Sequence, residues 1–436
     1  MKKFLLAVFL ISNVISSQEI INDTLQTTRQ DLDEVIVKGI RAKFSSPISF
    51  TNVDKQDLKS KNLGQDLPIL LNFLPSVVTT SDAGAGIGYT GIRIRGVSPQ
   101  STNITINGIP FNDPESMGTF WVNLPDFSSS IESLQVQRGV GTSTNGSGAF
   151  GASINILTDI VSDQPYAELS SSFGSYNTLK NTIKFSTGKI NDYFELSGRL
   201  SKIDSDGYVD RAYSDLKSYF IQGAYTNGST LIKAISFGGH EKTYQAWDGL
   251  SMDQVLENRR QNPLTYENEI DNYKQDHFQL HWNEKINNYW SFNLGLNYTD
   301  GRGYFEQYKE DDDINTYGGI VKSDIDSNGN ETGTTDLIRR RWLDNDFYVL
   351  NSSINYIKDK IDLTLSSSYS SYVGDHYGEV IWARSLSNTG EIRDRYYEGL
   401  GEKKDLSFFA KLLYSINKKT ELYTDIQLRG VKYNTC

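Results

Sequence analysis

The sequence contains very little cysteine and histidine. Cys436 is the single cysteine among 436 residues, and there are four histidines. One cysteine excludes a disulfide within the chain and a thiolate metal site. The scattered histidines show no zinc-binding spacing. We therefore expect no disulfide, no metal centre and no cofactor.

The sequence also lacks an excess of positive charge. It has 43 Lys and Arg residues against 54 Asp and Glu residues, which gives a formal net charge of −11. Proteins that bind nucleic acid need a basic surface to meet the phosphates. The acidic balance therefore argues against a nucleic-acid partner.

Long apolar runs are missing after the N-terminus. Lys2 and Lys3 precede an apolar stretch, Phe4–Ile15, that is too short to span a bilayer as a stable helix. This pattern is typical of a secretory signal, and we expect cleavage near Ser17. A secreted chain without a membrane helix can span lipid only as a closed barrel, because no other structure satisfies the backbone there.

Tyrosine and glycine, in contrast, are abundant, with 26 and 36 residues, although the mean hydropathy is only −0.47. After about residue 165, apolar and polar residues alternate in segments of roughly ten, as they do in the strands of membrane barrels. In one segment Phe278, Leu280 and Trp282 alternate with polar residues. The alternation predicts eleven strands, at residues 166–174, 176–187, 192–203, 215–226, 229–240, 274–286, 288–300, 346–357, 360–373, 405–416 and 419–432.

The connections between these strands distinguish a barrel from a soluble sandwich. Short turns alternate with long polar connections, the latter at 204–214, 241–273, 301–345 and 374–404. Outer-membrane barrels have short turns at one end and long loops at the other. Bacterial barrels also have an even number of strands, so with eleven we expect that this chain stops before its barrel closes.

Residues 43–160 have the composition of a small α/β domain. Weak helical segments are predicted at 54–63 and 65–74, with Asp54 as the N-cap and Pro75 as the end. Short glycine-separated strands follow, and Asn107-Gly108 is a strong tight-turn signal. Before this domain lies a β-prone patch, Asp33–Gly39, which is either an ordinary edge strand or a segment that adds to the sheet of a partner.

Together these segments resemble a TonB-dependent outer-membrane receptor. Leu32–Val37 resembles the TonB box, with the box residues Asp33, Glu34, Val35, Ile36 and Val37. Three regions resemble the plug domain of the family, namely residues 92–96 together with 107–110, residues 132–139 and residues 146–156. The plug motifs that carry the resemblance include Arg93, Arg95, Gly96, Asn107, Gly108, Arg138 and Gly139.

The resemblance implies an α+β plug domain followed by a transmembrane antiparallel β-barrel of 22 strands, of which about eleven are present. It divides the chain into a signal peptide (1–17), a periplasmic segment with the TonB box (18–42), a plug (43–160) and the N-terminal part of the barrel (161–436). It implies energised import across the outer membrane of a Gram-negative bacterium, and not catalysis. The expected partners are the TonB complex, a small nutrient, and outer-membrane lipid and lipopolysaccharide.

We expect the plug and the barrel wall to meet through polar surfaces, which would allow the plug to move. Arg93, Arg95 and Arg138 are then expected to meet wall carboxylates such as Glu195 or Glu421, unless these arginines are simply solvated.

Two motifs imitate ligand sites without having their full pattern. The glycines at 84, 86 and 88 resemble a dinucleotide loop but lack the flanking strand, helix and acid. Asp324–Gly329 resembles the start of a calcium loop, but the twelfth position holds Thr335 and not glutamate. His277 and His281 lie about 13 Å apart on one strand face, too far to share a metal. We interpret all three as structural.

Cargo bound at the top of the plug must be held by loops. The candidate residues in the plug and in the long barrel loops are Tyr89, Asn112, Asp113, Phe120, Trp121, Arg260 and Arg302. Further arginines and aromatics in the long loops, such as Tyr244, Trp247, Arg341 and Trp382, favour an anionic, planar or chelated ligand. The N-terminus before the box is too short for the additional domain of glycan importers, which favours a ferric chelate or siderophore.

Several alternatives stay open. The cargo could instead be cobalamin, haem, nickel or a glycan. A passive porin or adhesin barrel would need neither a TonB box nor a plug. A secreted all-β enzyme is disfavoured, because no Ser-His-Asp set, carboxylate pair or metal cluster is evident in the sequence.

Overall fold

The computed structural model describes residues 40–43, 46–140 and 149–436. The predicted signal peptide and the predicted box residues, Asp33–Val37, lie outside this part of the chain. Within it, no helix is long and apolar enough to cross a membrane.

The N-terminal domain contains two small sheets. The larger has the order β1-β6-β7-β4-β5 and the smaller pairs β2 with β3. All pairs are antiparallel except β4 with β7. The strands are β1 Ser49–Asp54, β2 Val77–Ser81, β3 Thr90–Ile94, β4 Thr102–Ile106, β5 Ile109–Pro110, β6 Ile131–Arg138 and β7 Ala152–Thr158.

The two predicted helices of this domain are present but short. They are α1 Lys55–Lys59 and α2 Leu67–Leu70, and three short 3-10 helices follow at 99–101, 121–123 and 127–130. Asp54 caps α1 as predicted, because its side chain accepts a hydrogen bond from the Asp57 backbone N–H at 2.9 Å. The first helix ends at its C-cap, Ser60, and the chain then turns at Gly64, where φ is +125°, before α2 begins.

The core of the domain includes side chains from outside it. Ile94, Ile104, Ile154 and other buried residues of the small sheets pack with Trp121, Leu124 and Phe127. Three side chains of the large sheet join the same cluster, namely Phe220, Ile235 and Phe237. The expectation of a wholly polar contact is therefore wrong on this side of the domain, because apolar area buried between the two parts stabilises their attachment.

The rest of the chain forms one antiparallel sheet of eleven strands in sequential order. This number confirms the prediction. The strands are β8 Tyr166–Phe173, β9 Leu179–Ser186, β10 Phe194–Ser205, β11 Ser214–Thr226, β12 Thr230–Tyr244, β13 Ile270–Lys285, β14 Trp290–Asp313, β15 Thr334–Lys358, β16 Ile361–Ala383, β17 Arg395–Asn417 and β18 Thr420–Thr435. A short helix, α3 Met252–Glu257, lies between β12 and β13.

Four strands are much longer than predicted. β14 and β15 extend through residues 301–313 and 334–345, and β16 and β17 extend through 374–383 and 395–404. The sequence predicts loops there because the apolar alternation stops. Alternation marks a strand only where one face is apolar and the other polar, and it fades where both faces meet polar surroundings.

The two faces of the large sheet differ in chemistry. Outward residues form an apolar belt, and one row of directly paired residues shows its continuity: Leu280, Leu296, Leu350, Tyr369 and Leu406, each between 39% and 44% exposed. Inward residues are mostly polar and packed against the N-terminal domain; His277, Gln279, His281 and Asn283 are all buried. An apolar outer belt with a polar interior is the pattern of a membrane barrel wall.

Candidate functional site

A cavity of about 520 Å³ lies between the top of the N-terminal domain and the inner face of the large sheet. We call it the apical cavity. Its walls come from two loops of the small domain and from β12 to β17. The volume suits a small ligand, since sites for such ligands are typically a few hundred cubic ångströms or more.

The first loop, Ser81–Tyr89, enters the cavity because its glycines permit a close approach to the sheet. Gly84, Gly86 and Gly88 all have positive φ. A Cβ on Gly84 would lie 2.9 Å from the Cβ of Tyr208, and one on Gly88 would lie 2.8 Å from Ser214 Oγ. Larger residues would push the loop inward, so these glycines set the position of Tyr89.

Tyr89 joins the loop to two carboxylates of the large sheet. Its hydroxyl donates to Asp271 and lies 3.4 Å from Glu241 Oε1. Glu241 also accepts a hydrogen bond from Thr243 at 2.7 Å. Burial, together with the negative charges of Glu241 and Asp271, raises the pKa of Tyr89 well above its ordinary value. The phenol therefore stays protonated and acts as a donor.

The second loop, Phe111–Gly118, is held together by its own polar side chains. The Asn112 amide accepts from the Ile104 backbone N–H at 2.7 Å and donates to the carbonyls of Thr102 and Met117. Asp113 accepts from the Ser116 backbone N–H at 2.6 Å. These bonds fix the loop shape and leave little freedom for either side chain.

Glu115 fastens the same loop to two strands, β16 and β18. Its carboxylate accepts from Tyr372 at 2.9 Å, from Tyr433 at 2.9 Å, and lies 2.7 Å from His376 Nε2. Burial alone would raise the pKa of Glu115, but the donors from His376 and the two tyrosines outweigh it and lower that pKa. Lys403 donates to the carbonyl of Pro114. The loop thus rests on β16, β17 and β18.

The cavity wall consists of two rows of paired inward residues. One row runs Asp271, Phe305, Arg341 across β13, β14 and β15. The other runs Glu241, Tyr273, Gly303, Leu343, His376 from β12 to β16. Carboxylates therefore stand at one end of the wall, and basic side chains stand at the other.

Residues 42–153 match the family model described as the TonB-dependent receptor plug domain. This part of the chain is therefore a plug domain of the TonB-dependent receptor type. We therefore call its N-terminal domain the plug and its large sheet the wall.

Curated relatives agree with this assignment. The chain is 28% identical over 214 residues to the vitamin B12 transporter BtuB of Vibrio vulnificus, covering 48% of this chain and 33% of that protein. It is 24% identical over 193 residues to the ferrienterobactin receptor of Escherichia coli, covering 40% of this chain and 26% of the receptor. The matched stretches thus span about a third or less of these relatives.

Solved structures show the same fold. The ferric-catecholate import receptor Fiu of E. coli superposes with a TM-score of 0.66 at 13% identity, covering 89% of this chain and 60% of that one. The ferric citrate transporter FecA in its unliganded form gives 0.64 at 13% identity, covering 90% and 57%. The copper transporter OprC gives 0.65 at 11% identity, covering 88% and 59%.

The residues predicted to hold cargo divide into two groups. Tyr89, Asn112, Asp113 and Phe120 line the apical cavity. The structure places the other three elsewhere. Trp121 is buried in the plug core, Arg260 donates to the carbonyl of Tyr208 beside Asp210, and Arg302 pairs with Asp344 and lies over Trp342.

Sequence reasoning did not select Glu241, Asp271 or His376, although all three line the cavity. Glu241 and Asp271 fell in a predicted loop, and His376 fell in another. Extending the two-residue period beyond each apolar stretch would have placed them on the inner face. Asp271, for example, lies three inward positions before the buried His277.

The plug arginines do not contact the wall carboxylates proposed for them. Arg138 donates to the carbonyl of Pro75 and to Thr51 Oγ1, both in the plug. Glu195 accepts from the Ser162 backbone N–H and from Ser186, and Glu421 accepts from Ser415. The predicted pairs are therefore wrong. Arg93 and Arg95 are exposed, and the Arg95 guanidinium lies close over Gly139, where φ is +95°.

The buried ion pairs between plug and wall have the opposite polarity, whereas the more exposed plug lysines Lys43 and Lys59 pair with the wall carboxylates Asp362 and Glu168. Asp126 of the plug lies 2.6 Å from Lys180 and 3.5 Å from Arg199 of the wall. Although burial would raise the pKa of Asp126, Arg199 and Lys180 outweigh it and hold that pKa below its usual range. Asp159, at the end of the plug, pairs similarly with Lys184 at 2.6 Å and with Lys55 at 2.8 Å.

The motifs that imitate ligand sites have structural partners. Asp324 lies 3.0 Å from Arg384 and accepts from Ser385 and Thr335. His277 stacks on Phe237 with ring centroids 4.6 Å apart. Over the described ranges, no group of three or more His, Cys, Asp or Glu residues has the geometry to hold a metal ion.

Proposed function

We propose that this chain forms the plug and the first barrel strands of an outer-membrane importer that takes up a scarce nutrient, with a ferric chelate as the leading cargo. The apical cavity is the main support for this proposal, because it lies where Tyr89 and Glu115 of the plug bind to the wall. A ligand bound there contacts both parts at once. Such a ligand can alter how the plug is held, which is what a gated importer needs.

The proposal includes a location and partners. The outward apolar belt supports insertion into the outer membrane, with lipopolysaccharide around the extracellular ends of the strands. The β-prone residues 33–37 are proposed to pair with the periplasmic TonB protein by adding a strand to its sheet. The ferrienterobactin receptor among the relatives supports iron, and the vitamin B12 transporter supports cobalamin as the second candidate.

The test compares two substitutions at one position of the box in cells that make the full-length receptor. Ile36→Pro removes a backbone N–H that strand pairing uses, whereas Ile36→Val keeps it. We expect Ile36→Pro to abolish uptake of labelled ferric citrate or another ferric siderophore while surface binding persists. Ile36→Val should retain uptake. Equal uptake by both variants would contradict energised import. If the receptor took up labelled cobalamin and no ferric chelate, cobalamin would replace the ferric chelate as the proposed cargo.

A further inference from the structure

We infer that the cargo is amphoteric, with a hydrogen-bond-donating or cationic group at one end and an anionic group at the other. This inference rests on the proposed function, because it concerns the ligand of the apical cavity. It assigns Glu241 and Asp271 to the first group and Arg341 to the second.

The positions of the three side chains follow from strand register. Asp271 pairs with Phe305, and Phe305 pairs with Arg341, so Asp271 and Arg341 stand two strands apart in one inward row. Adjacent strands are separated by about 4.8 Å, so the Cα atoms of Asp271 and Arg341 lie roughly 10 Å apart. Glu241 stands in the neighbouring row, on the same side as Asp271. The two acidic side chains and Arg341 thus face the apical cavity from opposite ends.

None of these three side chains has an ion-pair partner of opposite charge among the described residues. In the part of the chain that the structure describes, no Lys or Arg lies within 4 Å of the Glu241 or Asp271 carboxylates, and no carboxylate lies that close to Arg341. Tyr89 gives the two acids one shared donor. Arg341 is exposed, and its nearest partners are the Tyr397 hydroxyl and the rings of Phe305 and Tyr397. Buried or half-buried charges are stabilised by a partner of opposite sign, and a ligand can supply it.

A third acceptor stands on the acidic side. Asn123 lines the cavity and is only 7% exposed, yet its Oδ1 accepts no hydrogen bond from the described residues. Its backbone carbonyl packs against Gly239, two residues from Glu241. A buried acceptor without a donor costs free energy. A ligand donor at this end of the cavity would serve Asn123 together with the two carboxylates.

The middle of the cavity is aromatic and suits the body of the ligand. The Trp247 ring lies 5.4 Å from the Tyr89 ring and 6.1 Å from the Phe305 ring. Gly303 stands between Tyr273 and Leu343, and the Tyr273 ring packs against it, since a Cβ there would lie 2.7 Å from Tyr273 Cδ2. A purely anionic chelate would fit Arg341 but would bring no further donor to Glu241 and Asp271 at the other end.

The experiment uses four ferric trihydroxamate chelates that differ only at their two chain ends. One end carries either a free amine or an acetylated amine, and the other carries either an acetyl or a succinyl group. The series therefore includes a cation, a neutral chelate, an anion and a zwitterion on one scaffold. Binding of each labelled chelate is measured on outer-membrane vesicles that contain the full-length receptor, in the absence of uptake.

We expect the zwitterion to bind about ten-fold more tightly than the cation or the anion, as one charge-assisted hydrogen bond allows. Glu241→Gln with Asp271→Asn should remove the advantage of the free amine and leave that of the succinyl group. Arg341→Gln should remove the advantage of the succinyl group and leave that of the free amine. Asp344→Asn and Arg302→Gln, at a pair that lies outside the cavity lining, are the matched controls and should change neither preference.

Each outcome decides between the two proposals. Equal binding of the four chelates, or tightest binding of the anion, overturns the amphoteric cargo and leaves iron import intact. Binding of none excludes ferric trihydroxamates and overturns this inference, while the uptake assay with the Ile36 variants tests the ferric cargo separately. Asp271→Glu keeps the carboxyl group and controls for misfolding. It should retain the preference for the free amine, which Asp271→Asn should lose.

Discussion

Asp66 shows how one residue can make the stability of the plug depend on pH. It is 3% exposed, and Thr90 donates to it at 2.9 Å. No cation is within ion-pair distance of its carboxylate among the described residues. Burial raises the pKa of Asp66 to about 8, although the bonds from Thr90 and Gly88 oppose the rise. The carboxyl group is therefore protonated in the folded receptor at neutral pH.

A raised carboxyl pKa stabilises the folded state at low pH and not at high pH. The contribution is complete below the ordinary pKa near 4 and is lost as the pH rises through about 8. We expect the protection of plug amides near residues 66–94 against hydrogen exchange to fall between pH 6 and pH 9. Asp66→Asn should abolish this fall, a difference on the order of 1–3 kcal/mol at pH 9. The measurement is made on the full-length receptor.

Asp206→Asn is the matched control, since Asp206 is an exposed carboxylate between β10 and β11. It should leave the pH dependence as in the native receptor. A native receptor whose exchange protection, after correction for the intrinsic rate, is constant from pH 6 to pH 9 would refute this account of Asp66.

Among short elements, the β4–β5 hairpin depends most clearly on its turn. Asn107 and Gly108 have φ of +53° and +80°, as a two-residue turn of this type requires. Asn351 of the wall donates to the Gly108 carbonyl at 2.8 Å, so the turn also rests on β15.

Gly108→Ala should destabilise the hairpin by about 1 kcal/mol, because a Cβ is strained at this φ. Local hydrogen exchange of the β4 and β5 amides in the full-length receptor measures the effect. Gly223→Ala is the control, since a Cβ at Gly223 meets no atom within 4 Å. Equal exchange in the two variants would show that the turn tolerates a side chain.

The sequence predicts elements well where one physical rule acts alone. The eleven wall strands could be predicted because their residues alternate between an apolar, lipid-facing side and a polar, interior side. The β4–β5 hairpin could be predicted from Asn107-Gly108. The lengths of β14 to β17 could not be predicted, because their extensions lack a strict apolar–polar alternation, although Leu337 and Val380 there are buried in a small apolar cluster. The cavity was predicted in part: the plug loops reveal Tyr89 and Phe120, whereas Glu241 and Asp271 become neighbours of Tyr89 only through strand register. The burial of Trp121 depends on packing between distant segments.

For the whole molecule, the outward belt sets the energy of insertion. Leu296 stands in a row of apolar neighbours, between Leu280 and Leu350. Leu296→Arg should destabilise the inserted full-length receptor by roughly 2–4 kcal/mol, since a charge at this depth faces hydrocarbon. Urea unfolding in phospholipid vesicles measures the change. Tyr304→Arg lies on the same strand and face beyond the belt and should cost much less; an equal cost would contradict a membrane position for Leu296.

The plug is not attached evenly to the wall. Toward β9–β13, Phe220 and Phe237 bury apolar area against it, and Asp126 and Asp159 form buried ion pairs. Toward β14–β18, a second cavity separates plug and wall, lined by small polar side chains such as Ser353, Ser366 and Ser407. A plug that moves away from β14–β18 should therefore break mainly polar contacts, such as those of Glu115, Asn351 and Lys403, and little apolar packing.

The bonds of Glu115 also have a consequence for the order in which the receptor folds. Its three partners lie 257, 261 and 318 residues further along the chain. Contacts of such sequence separation form late, because the intervening chain must first lose its freedom. The second plug loop can reach its final position only after β16 and β18 have joined the sheet. The apical cavity is thus completed at the end of assembly, and a stalled intermediate has a plug core but no place to hold cargo.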